Sequence, residues 1–341
     1  EYGRLHQALY DMGMNVNDKA TAGMFEGADV NTFNASETSA LTSLDNPNRI
    51  GKELSAKDAN NYDQETYYIP IISGVIGQLA DKYIPLGEMS ADLRVEVYLY
   101  KANIALYSAS TAPTYTIGNF TYEAQIVEVD GSVQSEIDQA TLGYYRIHGT
   151  SWGEYNTTVA CGDGSKSFLI PARYASLKNL LVVQQNQAIA NGATATHAIA
   201  CRTKANMSKY QFKVGSLQVP QTPVELDATG NLKGSEGFAE LKKSFHSMGV
   251  LDGGLIASDM YVDDSPDGTT NVECGSFLVG QELESFAHKN DVLTAGVNTL
   301  SSNVFFEATY SSGAQASVNL YAFAHYDLVL ELQGGVMRVR K

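Results

Sequence analysis

The stretch Leu93-Arg94-Val95-Glu96-Val97-Tyr98-Leu99-Tyr100 has a period of two, which places Leu93, Val95, Val97 and Leu99 on one face of an extended chain. A helix would scatter these four residues around its axis, so the pattern predicts a half-buried strand. Segments of the same kind follow in quick succession: Phe120 to Val129, Ser167 to Ile170, Leu180 to Gln184, Tyr210 to Val219, Asn303 to Tyr310, Val318 to His325, Asp327 to Leu332 and Val336 to Val339. Each is bounded by Gly, Pro, Asn or Ser, the residues that turn a chain back on itself. Most of the chain is therefore expected to be β. The composition agrees: 30 Gly, 20 Tyr and 12 Phe among 341 residues, with only 18 % charged, suits short strands and many turns better than long surface helices.

Two helices are expected among the strands. Ser132 to Ala140 sets Val133, Ile137 and Ala140 on one side. Glu236 to Met248 sets Phe238, Leu241, Phe245 and Met248 at helical spacing, with Ser235 as N-cap and Gly249 as the stop. Both are expected to lie on sheet edges, where a helix blocks uncontrolled strand addition. Residues 1 to about 60 are polar and weakly periodic, and read as an extended arm carrying a short helix. A faint echo links SGVIGQL (73–79), followed by RVEVYL, with GSFLVGQEL (275–283), followed by VFFEATY. Turn, apolar step and strand recur in that order, as two similar β units in tandem would produce. The polar stretch Ala188 to Asn206 is the expected seam. The division is then an arm over 1–60, a first unit over 61–190 and a second over 191–341.

Charge restricts the partners. A formal net charge of −15 repels a phosphate backbone over most of the surface, so direct nucleic-acid binding is not expected. The basic tip Arg338, Arg340 and Lys341 is expected to be solvated. Cys161, Cys201 and Cys274 are widely spaced with no C-x-x-C, which suggests three free thiols rather than disulfides or a zinc site. Sequons at Asn34, Asn119, Asn156 and Asn206 arise readily in so polar a chain. No stretch approaches 18 apolar residues and no secretory leader is visible, so neither a membrane span nor a signal peptide is expected. The chain opens on Glu1 rather than Met, and some preceding sequence is expected to be missing or processed.

Four patterns test for chemistry. Gly149-Thr150-Ser151-Trp152-Gly153 fits G-x-S-x-G, the elbow of a serine hydrolase, which needs a strand before the serine and a helix after it to build an oxyanion hole. Glu154 to Val159 is β-branched and runs into a turn, so Ser151 is expected to be a loop residue. Cys161 to Ser167 resembles a phosphate loop only superficially, since Ser165 stands where Gly must precede Lys166; a hairpin turn is expected there. Asp263 to Gly268 begins like a calcium loop, but Cys274 occupies the position of the bidentate Glu, leaving an exposed acidic loop. His6, His148, His197, His246, His288 and His325 show no ligand spacing. Glu284 and His288 lie four apart as an ordinary solvated contact, and His325 is expected to be packed or at an edge. No catalytic, cofactor-binding or metal-binding residues are assigned, no cofactor is expected, and the chain does not read as an enzyme.

Taken together, YYIPIISGVIGQLADKYIPLGEMSADLRVEVYLY (67–100), SFLIPARYASLKNLLVV (167–183), YQFKVGSLQVPQTPV (210–224) and VNLYAFAHYDLVLELQGGVMRV (318–339) resemble double jelly-roll major capsid proteins of the tectivirus–adenovirus lineage. The similarity spans roughly residues 65 to 341. It implies an all-β fold of two tandem eight-stranded antiparallel jelly rolls with short edge-covering helices, three chains forming a pseudo-hexagonal capsomer, and capsomers tiling an icosahedral shell. The implied location is the virion, assembled inside the host cell. Implied partners are the chain itself as homotrimer and trimer-to-trimer neighbour, penton and minor capsid proteins, and an internal membrane where the shell has one. The acidic loop Asp259 to Asn271 matches no feature of that family and is expected to be a surface decoration. A second reading, from another class, is a secreted β-sandwich carbohydrate-binding or adhesin module in which exposed tyrosines and Trp152 stack on sugars.

Overall fold

The computed structural model describes residues 2–14, 18, 22, 25–26, 56–58, 61–62, 66–77, 82–106, 114–160, 164–191, 199, 202–226, 235–245, 277–284, 295–311 and 317–341. Their helices are α1 (Tyr2–Gly13), α2 (Ala102–Ala105), α3 (Gly131–Thr141), α4 (Gln187–Ala190) and α5 (Ser235–Ser244). After a small β1 (Ala56–Asp58) and β2 (Asn61–Tyr62) pair, the strands are β3 (Tyr144–Ala160), β4 (Gly164–Ile170), β5 (Leu177–Asn186), β6 (Met207–Val214) and β7 (Leu217–Glu225). They continue with β8 (Val279–Glu282), β9 (Val304–Tyr310), β10 (Ser317–Gln333) and β11 (Val336–Arg340).

Two antiparallel sheets form the body. In the first, β10 pairs with β3 along its whole length on one edge; on the other it pairs with β5, which in turn holds β8. β11 continues that second edge beyond β5, folded back through Gly334 and Gly335. Both glycines have positive φ, +56° and +79°, as a two-residue hairpin that follows strand twist requires. The second sheet runs β4-β9-β6-β7. From β3 to β10 the chain therefore visits the sheets in the order first, second, first, second, second, first, second, first. That interleaving of eight strands is the jelly-roll topology, and it spans residues 144–333.

The expected seam falls inside this unit. β5, before residues 188–206, pairs with β10 from the far end of the chain, and β4 pairs with β9. A boundary at 190/191 thus cuts through both sheets, because jelly-roll ladders join strands remote in sequence. Other expectations hold with adjustment. Tyr210 to Val219 is two strands, since Gly215 at φ +61° turns β6 back into β7. Val318 to His325 and Asp327 to Leu332 are one strand, β10, whose register to β5 shifts between His325 and Tyr326. Residues 161–163, in the expected hairpin turn, lie outside the described residues, but β3 and β4 on either side lie in different sheets and do not pair as a hairpin.

Phe212, Phe306, Tyr210 and Tyr310 fill the space between the sheets, with the Phe212 and Phe306 rings 5.0 Å apart. Gln184 points into this core and accepts the Tyr310 hydroxyl at 2.7 Å. Its neighbour Gln185 points the opposite way, to α1. The first sheet is covered on its outer face as well: α1 lies over β5 and β10, and α5 over β8, where Gly280 lets Leu241 and Ser244 approach. Cover on both faces explains why β5 from Leu180 to Gln185 is buried without alternation. By contrast α3, expected as a lid, buries none of its residues; Val133 and Ala140 remain exposed.

Leu93 to Tyr100 and Phe120 to Val129, expected as strands, lie in no helix and in no ladder with the described residues, and every residue of 91–99 and 116–130 is exposed.

Candidate functional site

Ser151 sits in the middle of β3, with Tyr326 of β10 opposite. The chain continues as strand to Ala160, so no helix N-terminus faces the hydroxyl and the elbow geometry is missing. Ser151 is a strand residue rather than a loop residue. The two glycines of the motif have a packing origin. A Cβ on Gly153 would lie 2.1 Å from the Tyr174 hydroxyl, and a Cβ on Gly149 would lie 2.6 Å from the Gly74 carbonyl oxygen. Gly153 thus admits Tyr174, whose hydroxyl meets that of Tyr155 at 2.7 Å and whose ring stacks on Tyr326 at 3.8 Å. Burial, followed by the Tyr155 contact, pushes the Tyr174 hydroxyl well above the usual tyrosine range. Gly149 admits the chain at residues 71–77, which lies against the outer edge of β3.

Beside this edge is a cleft of about 240 Å³ whose lining includes Tyr2, Ile72, Ser151, Trp152, Glu154 and Phe323. The Tyr2 hydroxyl is already engaged, donating to Pro70 O and accepting from Ile72 N, both at 2.9 Å. Trp152 lies with one face on the His325 ring, centroids 4.5 Å apart and nearly parallel. These polar groups tie the chain to itself, and among the described lining residues no nucleophile is paired with a base.

A buried polar network, absent from the sequence expectations, anchors α1 to the sheet. α1 presents Arg4, Gln7 and Asp11 on its buried face beside Leu5, Ala8 and Met12. Asp11 meets Arg202 at 2.6 Å with both side chains almost wholly buried, and Gln7 donates to Asp11 at 2.8 Å. Arg4 donates to Gln185 at 2.6 Å and to the Ala190 carbonyl, while lying over the Tyr321 ring. The signal was in the spacing: Arg4, Gln7 and Asp11 share a helical face with Leu5, Ala8 and Met12, so polar groups there must be paired when the face is buried.

The other candidates are structural. His6 meets Glu26 at 2.9 Å, His148 is half-buried in β3, and Glu284 pairs with Lys178 at 2.8 Å. The basic tip is partly engaged: Arg340 donates to Glu331 at 2.7 Å, with Arg146 at 3.7 Å on the other carboxylate oxygen. The Tyr144 hydroxyl and these two guanidinium groups hold the Glu331 carboxyl below its ordinary range. Among the described residues no group of three His, Cys, Asp or Glu side chains is placed to hold a metal, and no helix is long and apolar enough to cross a membrane. The three cysteines, His197, His246, His288, the acidic loop Asp259 to Asn271 and the calcium-like Asp263 to Gly268 lie outside the described residues.

No family model matches the chain. No curated protein matches it either. Among solved structures it is similar to the PBCV-1 virus capsid, at 8 % identity and TM-score 0.37 over 61 % of this chain and 54 % of that one. It is also similar to the Sputnik virophage, at 12 % identity and TM-score 0.33 over 57 % and 38 %. A third is the Faustovirus major capsid protein, at 7 % identity and TM-score 0.36 over 60 % and 36 %. The chain spans about half or less of the length of these structures.

Proposed function

We propose that the chain is a viral major capsid protein, acting by self-association in a shell rather than by chemistry. The observation that carries this is the topology: eight strands interleaved between a β3-β10-β5-β8 sheet and a β4-β9-β6-β7 sheet, a jelly roll of the kind used in capsids and lectins. What favours the shell over the lectin is the segment before it. Within 66–143, the described residues 91–99 and 116–130 carry strand-patterned apolar surface left open to solvent, and such patches mark contact with other proteins. In the lectin reading Trp152 would offer a free ring face, but one of its faces is already taken by His325.

In the capsid reading, the open segments 91–99 and 116–130 belong to a second β unit that is completed only when chains assemble. Two similar units repeated threefold present six nearly equivalent sides, which lets capsomers tile. Contacts inside the trimer are large and apolar, on the order of 2,000 Å² or more, whereas those between trimers are smaller and reversible. The chain beyond α1 then ties neighbours or reaches an inner layer, and pentons, minor capsid proteins and an underlying membrane are the partners this role allows. Size-exclusion chromatography with light scattering tests it: a species about three times 36.8 kDa that survives dilution, and shells in electron micrographs of concentrated protein, are expected. A monomer at every concentration that binds immobilised glycans would contradict it.

A further inference from the structure

The segment Ala91 to Leu99 joins no ladder to any described residue, and all nine of its residues are exposed. Yet it alternates like a core strand. Leu93 is 41 % exposed, Val97 54 % and Leu99 58 %, while Ile126 and Phe120 in the companion segment reach 72 % and 66 %. With their neighbours these side chains leave on the order of 1,000 Å² of apolar surface in water, comparable with the roughly 800 Å² each partner contributes to a standard interface. The backbone N–H and C=O groups of 91–99 offer in addition a template for strand addition.

The charge pattern selects the occupant. If a second copy of the same segment lies antiparallel, only registers that set odd residues opposite odd ones keep Leu93, Val95, Val97 and Leu99 on one face. A twofold axis through Glu96 places that carboxylate opposite itself, and an axis through Arg94 places that guanidinium opposite itself; both are repulsive. An axis through Leu93 also pairs Arg94 with Asp92 but aligns only residues 91–95 of the segment. An axis through Val95 aligns all nine and sets Val95 opposite Val95, Leu93 opposite Val97, and Arg94 opposite Glu96 on both sides of the axis. Apolar residues then share one face, and two complementary ion pairs occupy the other. Within one chain Arg94 already meets Glu96 at 3.0 Å, but with side chains 81 % and 47 % exposed this is a contact that water weakens and a cross-strand partner readily replaces.

The geometry points to a twofold contact between copies of this chain, formed by antiparallel pairing of residues 91–99 about Val95, with the apolar side chains of 117–129 extending the buried face. The contact is isologous and so adds a dimeric interaction to the threefold one proposed above. It does not depend on the capsid role.

Two experiments on the full chain test it. Val95→Cys brings two sulfurs together at the axis, where directly opposed strand residues have Cα atoms about 4.5–5.5 Å apart, within disulfide range. Leu99→Cys is the control, because in this register its counterpart lies eight residues along the strand, about 27 Å away. Under mild oxidation Val95→Cys should give a covalent dimer well above the background of the unmodified chain and of Leu99→Cys. Equal rates for the two variants would overturn the contact. In the second experiment, light scattering against concentration reads self-association of Arg94→Glu and Glu96→Arg. Each alone puts like charges opposite one another and should weaken association about tenfold, while an equimolar mixture restores it, since each acid then faces a base. A mixture no tighter than its components would overturn the register. Trimers without a Val95 cross-link defeat this contact and leave the capsid reading standing; a cross-linked dimer that never assembles further does the reverse.

Discussion

Residues 91–99 and strand β10 carry the same period-two pattern, yet one is open to water and the other is among the most buried parts of the molecule. Val95 and Val97 are exposed, whereas Leu320, Ala322 and Ala324, with the same alternation on β10, are no more than 1 % accessible. The difference is not in the residues. β10 has a partner along both edges and a layer on each face, while 91–99 has neither among the described residues. Alternation specifies which face of a strand must be covered; it does not specify that the cover comes from the same chain.

The largest effect that separates the two regions is a core truncation. Phe306→Ala, at the centre of the sandwich, should cost about 3–5 kcal/mol by denaturant unfolding, whereas Phe120→Ala should stay within about 0.5 kcal/mol in the dilute monomer. A comparable loss at Phe120 would show that the open segment is folded against the body. The α1 anchor comes next. Asp11→Leu or Arg202→Met alone leaves a buried charge uncompensated and should cost about 3–4 kcal/mol, with the double variant less damaged than either single one. Additive losses in that cycle would mean the two groups act independently.

Gly153→Ala forces Tyr174 aside and should lower stability by about 1–3 kcal/mol, and much less where Tyr174→Phe has removed the obstructing hydroxyl. Equal losses in both backgrounds would place the constraint elsewhere. The smallest expected effect is at the end of β10. The Glu331 carboxyl is held below its unfolded value of about 4.3, so its contribution is complete above that pH and is lost as pH falls through the lower folded value. The thermal midpoint should therefore fall more steeply below about pH 4 in the unmodified chain than in Glu331→Gln; parallel curves would remove Glu331 from the account.

How legible this was depended on locality. β4, β9 and β11 could be read from alternation and flanking turns, and β5 from its short apolar run between turns, because these signals lie within a few residues. The β6–β7 hairpin was hidden because its turn is only Gly215-Ser216, and the apparent break in β10 marks the register shift beside Tyr326 rather than a strand end. The jelly-roll boundary was misplaced for a physical reason: a polar loop reads as a seam, but β5 and β10 pair across more than a hundred residues, and no local pattern carries that pairing. The elbow-like motif reads as a loop and is a strand for a similar reason. Its glycines answer to Tyr174 and Gly74, distant groups that the five-residue pattern does not contain. Arg4 and Asp11 lie in the stretch that reads as an extended arm, and their partners Gln185 and Arg202 are more than 150 residues away, so no local pattern marks those pairings.

The most direct measurement is amide hydrogen exchange followed as a function of protein concentration. In dilute solution β5 and β10 should be strongly protected while residues 91–99 and 116–130 exchange freely, and on concentration 91–99 should gain protection as chains associate. If 91–99 exchanged as slowly as β10 in the dilute monomer, the open segment would already have its cover, and an account built on surface awaiting another copy would fail.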